Sequence, residues 1–206
     1  LVTNDFRGHR ANSFKLTENG SAFISSQQAD IISTGSGKKD LHGKDGGFRP
    51  IDLKMGPDGA LYVADWSNII IQHGEVDFRD KRRDQVHGRI WRITAKGRPL
   101  TKIATIAGAP VKQLLDNLKS DDRYLTDMSK RELIERGAAK VAPALKDWLS
   151  KGQSDYVKLQ ALWLRVGLNA ADESLLKEVL QAKDGKIRAA AVRIAAQQYS
   201  GSANLL

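Results

Sequence analysis

The hydrophobic period changes once along this chain, at Gly108-Ala109-Pro110, and that change limits what it can fold into. Before it, apolar residues alternate in short runs broken by Gly, Pro, Asn and Asp, the pattern of strands and turns. After it, they recur every three or four residues, the pattern of amphipathic helices. The chain therefore reads as β + α in two domains, residues 1–107 and 108–206. Its 206 residues, 41% of them hydrophobic, are enough for one large or two small cores.

In the first half, Ile51–Met55 and Ala60–Asp65 flank Gly56-Pro57-Asp58-Gly59, where Pro57 presets one φ and Gly59 accepts a positive one. Gly88–Thr94 alternates again, and Leu100–Ile106 is expected to add a fourth strand after the Lys96-Gly97 turn. Four short antiparallel strands within about sixty residues make one β-propeller blade. Ala11–Leu16 and Ala22–Ser26, around Glu18-Asn19-Gly20, read as a hairpin of the preceding blade. Residues 1–107 are thus expected to be the C-terminal part of a propeller, about one blade plus part of another. Ser33–Gly47 is glycine-rich and aperiodic, a surface loop in which His42 is solvated. The chain begins at Leu1 and ends in a helical pattern at Leu206, so it reads as an excerpt of a longer polypeptide.

The second half repeats itself. Arg131–Gly137 (RELIERG) aligns with Ala161–Gly167 (ALWLRVG), and Tyr156–Arg165 with Lys186–Ala195, each offset by about 30 residues. Ala142–Leu149 and Ser174–Leu180 form a second matching set, so the unit is a helical hairpin. Val157, Leu159, Leu162, Trp163 and Val166 in one helix, and Ile187, Ala190, Ala191 and Ile194 in the next, carry the helical spacing of a core face. Trp148 and Trp163 are read as ordinary packing. The pattern resembles HEAT-type α-solenoid repeats, which here would act as a scaffold.

Composition narrows the function classes. The absence of cysteine removes disulfides, thiolate catalysis, Cys-zinc sites and c-type haem attachment within these residues. The net charge of +9 divides into about +5 and about +4 over the two halves, too even for a dedicated nucleic-acid arm. Aromatic residues, at 6%, also supply few stacking platforms, so nucleic acid is not an expected partner. No run is long and apolar enough for a transmembrane helix, and no secretory signal opens the chain.

The ionisable groups concentrate between Phe48 and Pro99. From His73 to Arg89 run Glu75, Asp77, Arg79, Asp80, Arg82, Arg83, Asp84 and His87, too many charges to be buried unpaired. In one reading Arg79, Arg82, Arg83 and Arg89 make forked ion pairs with Asp77, Asp80 and Asp84 that fix a long loop. In the other, His73 or His87 is a proton acceptor oriented by a neighbouring carboxylate. Asp65, Trp66 and Asn68 end a strand. Asp65 either caps that exit through backbone amides or, with Asn68, binds substrate beside the Trp66 ring. The oxygens of Gly56-Pro57-Asp58-Gly59 are of the type Ca²⁺ takes, though such a turn is common without metal. Arg7-Gly8-His9-Arg10 faces an anionic cofactor or caps a blade.

Three motifs, FRPIDLKMGPDGALYVADW, IIQHGEVDFRD and HGRIWRIT, together with NDFRGHRANSFKLTENG and the helical repeats, resemble the PVC-type or membrane-bound dehydrogenases of bacteria. That family joins a glucose/sorbosone dehydrogenase-like propeller to HEAT-like repeats and often ends in a haem-binding domain. The resemblance implies an extracytoplasmic, periplasmic oxidoreductase for sugars or sugar-derived alcohols, membrane-associated through segments outside these residues. It implies pyrroloquinoline quinone with Ca²⁺ as cofactor, and a cytochrome or other protein complex as partner. Positions matching the family are Arg49, Asp52, Asp65, Trp66, Asn68, His73, Glu75, Asp77, Arg79, Asp80, Arg83, Asp84, His87 and Arg89. Of these, His73 and His87 are the expected bases. Arg49, Asp65, Trp66, Asn68, Glu75, Asp77, Arg79, Arg83, Asp84 and Arg89 are the expected substrate or cofactor contacts, with no metal ligand assigned. Ser67, Asn68 and Ile69 stand where the family carries Tyr-Asn-Pro. An incomplete propeller leaves the excerpt alone without expected activity. The alternative expectation is a non-catalytic propeller–HEAT interaction protein binding glycans or a protein complex.

Overall fold

Strands and helices segregate along the chain. The computed structural model describes residues 1–34, 47–70 and 76–198, and the chain divides into two units, Leu1–Lys102 and Ile103–Leu206. All the described strands lie in the first and all the helices in the second, a β + α arrangement.

In the first unit, β1 (Val2–Asp5), β2 (Arg10–Asn19), β3 (Ala22–Gln27) and β4 (Ile32–Ser33) form one sheet. The long β2 is its centre: Arg10–Ser13 pairs with β1 on one edge, and the other edge takes β4 at Arg10–Ala11 and β3 at Phe14–Asn19. The hairpin is present with its register one residue later than the sequence suggested. Asn19 pairs with Ala22, so the two-residue loop is Gly20-Ser21, and Gly20 takes the positive φ of 61°.

The second sheet is the meander β5 (Pro50–Met55), β6 (Leu61–Asp65) and β7 (Arg89–Ile93). The turn before β6 closes as its residues dictate: Gly56 N donates to Ala60 O at 2.8 Å, and Gly59 sits at φ 76°. The expected fourth strand, Leu100–Ile106, is absent. Pro99 has no N–H to give a ladder, and Thr101 N instead donates to Asp58 O at 2.9 Å, which ties the segment to a turn rather than to β7. Asn4 Nδ2 donates to Pro50 O at 3.1 Å, linking the two sheets.

In the second unit, α1 (Val111–Asn117), α2 (Arg123–Arg136), α3 (Ala138–Leu149), α4 (Asp155–Gly167), α5 (Glu173–Leu180) and α6 (Gly185–Gln198) follow one another through short turns. Asp122, Ser154 and Asp172 cap α2, α4 and α5 by accepting from the first-turn amides. Both α1 and α3 touch α2, while α4 packs against α2, α5 and α6. Leu114, Leu133, Val141, Leu145, Leu164 and Leu176 lie fully buried in one continuous core. The aligned heptapeptides RELIERG and ALWLRVG end α2 and α4, and a Cβ on Gly167 would overlap Ile134 of the other copy. Trp148 is buried, its Nε1 donating to Asp116 Oδ1 at 2.9 Å, as packing predicts. Trp163 differs from expectation: it is 37% exposed, because α4 turns Leu162 and Leu164 inward and leaves position 163 outside.

Candidate functional site

The described candidate residues form a buried knot at the end of β6, a cleft beside it, and the loop that frames the cleft. Asp65 is the centre of the knot. Across the sheet it lies opposite Arg89, with Trp91 two residues further along β7 on the same face. Its Oδ1 accepts from the backbone N–H of Arg49 at 2.7 Å and of Ser67 at 2.8 Å. Its Oδ2 accepts from Arg89 Nε and Trp91 Nε1, both at 2.8 Å. Four donors fill the acceptor capacity of one carboxylate. The Arg89 guanidinium also lies over the Trp91 ring, 5.4 Å from its centroid.

Arg49, only 5% exposed, is the second hub. Its Nε donates to Asn68 O at 2.8 Å, Nη2 to Ile69 O at 3.1 Å, and Nη1 to Phe6 O at 2.8 Å. The same Nη1 lies 3.0 Å from His9 Nε2, while His9 Nδ1 lies 3.0 Å from Phe48 O. Arginine can only donate and a carbonyl can only accept, so His9 carries its proton on Nδ1 and is neutral. Burial, and then the Arg49 charge, lower the His9 pKa below its ordinary value. Burial likewise lowers that of Arg49, opposed by the Asp65 charge. His9 takes this place from a φ of 56°, a left-handed conformation uncommon for a residue with a Cβ.

Residues 76–88 build the cleft from turns in which Asp side chains accept from amides two residues on. Asp77 accepts from Arg79 N at 2.7 Å, Asp80 from Arg82 N at 2.9 Å and Asp84 from Val86 N at 3.0 Å. Of the expected forked pairs, the Asp80–Arg82 one forms, and it holds the Asp80 carboxyl well below the usual carboxylate range. Arg83 donates to main-chain carbonyls, to Asp77 O at 3.0 Å and Val76 O at 2.9 Å, and lies over the Phe78 ring. Asn68 is pinned from both ends of its amide, Oδ1 accepting from Ile70 N and Nδ2 donating to Asp84 O.

Trp66, Asn68, Phe78, Arg83, Asp84 and His87 line a cleft of about 570 Å³. Both oxygens of Asp84 lie 3.1 Å from His87 Nδ1. Asp84 is held ionised by the amides of His87 and Val86, which lower its pKa. A carboxylate there accepts a hydrogen bond from Nδ1–H and leaves Nε2 with its lone pair, without a protein partner among the described residues. The pair is exposed, so its attraction adds little to stability. It fixes a tautomer.

Among the expected contacts, then, Arg49, Asp65, Asn68 and Arg89 share the knot, and Trp66, Asn68, Arg83, Asp84 and His87 share the cleft. Asp77 and Arg79 belong to the loop, while His73 and Glu75 lie outside the described residues. Three contributors were not singled out for these roles. Trp91 and Phe78 stand in the sequence only as members of alternating runs, and His9 only in a basic cluster. The alternation in GRIWRIT places Trp91 on the face of Arg89, and that signal could have found it. No three His, Asp or Glu side chains converge as a metal site requires among the described residues. Asp58, in the candidate calcium turn, already accepts from Ala60 N, from the Arg92 fork and from Tyr62 Oη. The described donors therefore do not by themselves fit Ca²⁺, and Arg49 turns all three of its guanidinium nitrogens to main-chain oxygens rather than to a quinone carboxylate.

A family model described as a domain of unknown function, DUF7133, matches residues 8–97, a span that contains the cleft and every side chain of the knot. No curated protein and no solved structure matches the chain. Among the described residues no helix is long and apolar enough to cross a membrane.

Proposed function

We propose that the cleft takes a sugar or sugar-derived alcohol and that His87 accepts the proton of a bound hydroxyl, the proton-transfer half of a dehydrogenase-type oxidation. The observation that carries this reading is the Asp84–His87 pair, with Nδ1 held and Nε2 open, on the wall of a cleft that also contains Trp66 and Phe78. Aromatic faces suit the apolar face of a sugar ring, and Asp84 positions the base without touching substrate. The oxidation class and the extracytoplasmic location rest on the sequence resemblance to PVC-type dehydrogenases. In the same reading the β5–β7 meander is an incomplete propeller blade and the helix stack is HEAT-like, a scaffold for the rest of a longer polypeptide and for a cytochrome or protein partner.

In the native polypeptide carrying these residues, His87→Ala is expected to lower turnover of sugars or polyols with an artificial electron acceptor by about a hundredfold or more. Asp84→Asn is expected to shift the pH profile of that activity. Unchanged turnover in His87→Ala removes the proposed base. One observation favours a second reading, glycan binding without turnover: Arg49, Asp65, Arg83 and Arg89 all bond to the protein itself. Saccharide binding that Trp66→Ala abolishes, in a polypeptide that turns nothing over, would select it.

A further inference from the structure

The groove between α2 and α4 has no part in the reading above. It encloses about 520 Å³, within the usual range of ligand clefts. Tyr156 and Trp163 stand seven residues apart on α4, two turns or about 10 Å along the axis, and they are 43% and 37% exposed. Gln160 lies between them, 3% exposed, and its Oε1 is buried without a hydrogen-bond partner. Large aromatics left open on either side of an unsatisfied buried amide are not what packing alone produces. An orphaned buried acceptor is unfavourable unless something supplies a donor. The terminal torsion of glutamine is soft and broad, so a small rotation of the amide presents its oxygen to the groove.

The rim selects the ligand chemistry. Asp127 and Asp121 offer only acceptors, and Lys130 and Arg123 only donors. The charges of opposite sign cancel, which disfavours an ion of either kind. A hydroxyl both donates and accepts, so neighbouring hydroxyls can serve the carboxylates, the cations and Gln160 together. Lys130 Nζ bonds Asp127 at 3.0 Å and sits 5.1 Å from the Trp163 ring centroid, fixing the indole plane while leaving part of the ring open. A flat ring of that kind stacks on the C–H face of a pyranose. The geometry points to a binding site for a neutral saccharide in the α2–α4 groove, with Trp163 as its platform and Gln160 as its buried polar contact. The inference does not rest on the proposed reaction, since it concerns the other unit, and a cleft without activity leaves it standing.

The test titrates the full chain with cellobiose, maltose and diacetylchitobiose, followed by saturation-transfer NMR and tryptophan fluorescence, beside a neutral ten-residue peptide. At least one disaccharide is expected to bind, and Trp163→Ala to weaken it about tenfold or more, the scale of one lost aromatic contact. Gln160→Leu separates site from fold. Replacing an orphaned polar group by an apolar one of similar shape leaves Tm unchanged or raises it, while saccharide affinity falls by about tenfold. A lowered Tm in Gln160→Leu would show that the amide serves the fold, and would overturn the proposal. So would binding that neither variant alters, preference for the peptide, or no binding by any of the three sugars.

Discussion

The two units solve the problem of burial differently. In the helical unit the fully buried side chains are Leu114, Leu133, Leu145, Leu164 and Leu176 with their neighbours, and the burial of apolar surface drives its folding. In the strand unit the buried apolar side chains among the described residues are few, chiefly Phe48, Val63, Ala11 and Ala60. Beside them lie Arg49, Asp58, Asp65 and Asn68, buried and bonded, while Phe23, Ile24, Ile51 and Ile90 remain exposed. One unit is thus held by a continuous apolar core and the other by a polar knot around a small one. A polar knot is specific but brittle, because removing one member leaves the others buried without partners.

That contrast can be broken from either side. The largest effect is expected from Asp65→Ala, which deprives two arginine-bearing segments and the Trp91 indole of their acceptor. It should destabilise the strand unit by about 3–5 kcal/mol, the scale for breaking a buried pair by one partner, and leave the helical unit's denaturant transition in place. A single shared loss in both units would contradict the contrast. Leu145→Ala is the converse experiment, expected to cost the helical unit about 3 kcal/mol by transfer and cavity terms, read from the midpoint of its urea transition.

A smaller effect sharpens the comparison through pH. The His9 pKa is lowered in the folded chain, so the folded state binds fewer protons there than the unfolded state. This contribution to stability is complete above the ordinary histidine pKa of about 6.5, and it declines as the pH falls below that value. Protonation would set a second donor against Arg49. Urea midpoints of the strand unit measured between neutral and mildly acidic pH should show the decline. His9→Asn, which tolerates the same backbone conformation, should flatten it. The smallest effect is expected from Glu135→Gln in α2, which removes an exposed pair with Arg131 at 2.9 Å and should change stability by about 0.5 kcal/mol or less. A loss as large as that of Asp65→Ala would show that exposed and buried pairs do not differ here.

The sequence made the helical unit legible because its signals are local. The apolar spacing of α4 and α6 and the repeat offset of about 30 residues need no knowledge of distant residues. Trp163 escaped because an aromatic at helical spacing fits either face of a helix packed on several sides. In the strand unit the turns at Gly20 and Gly59 were also local, and so were the strands they join. Asp65 could be seen as a cap, which its bonds to Arg49 N and Ser67 N confirm. Its bonds to Arg89 and Trp91, 24 and 26 residues away, depend on register, and spacing does not encode that. The same limit applies to Arg49: its partners at Phe6, His9, Asn68 and Ile69 come from two distant segments. Arg83 reaches the main-chain oxygens of Asp77 and Val76, bonds that depend on how the loop folds and that residue type does not encode.

Residue-resolved hydrogen exchange on the full chain, native and with Asp65→Asn, tests the central claim most directly. The substitution keeps the shape of the side chain but replaces one acceptor oxygen with a donor. If the polar knot holds the strand unit, the amides of Arg49, Ser67 and β7 will lose protection while those of Leu162–Arg165 in α4 keep theirs. Protection unchanged at Arg49, Ser67 and β7 would contradict it, and would mean that the small apolar core around Phe48 and Val63 holds the strands without the knot.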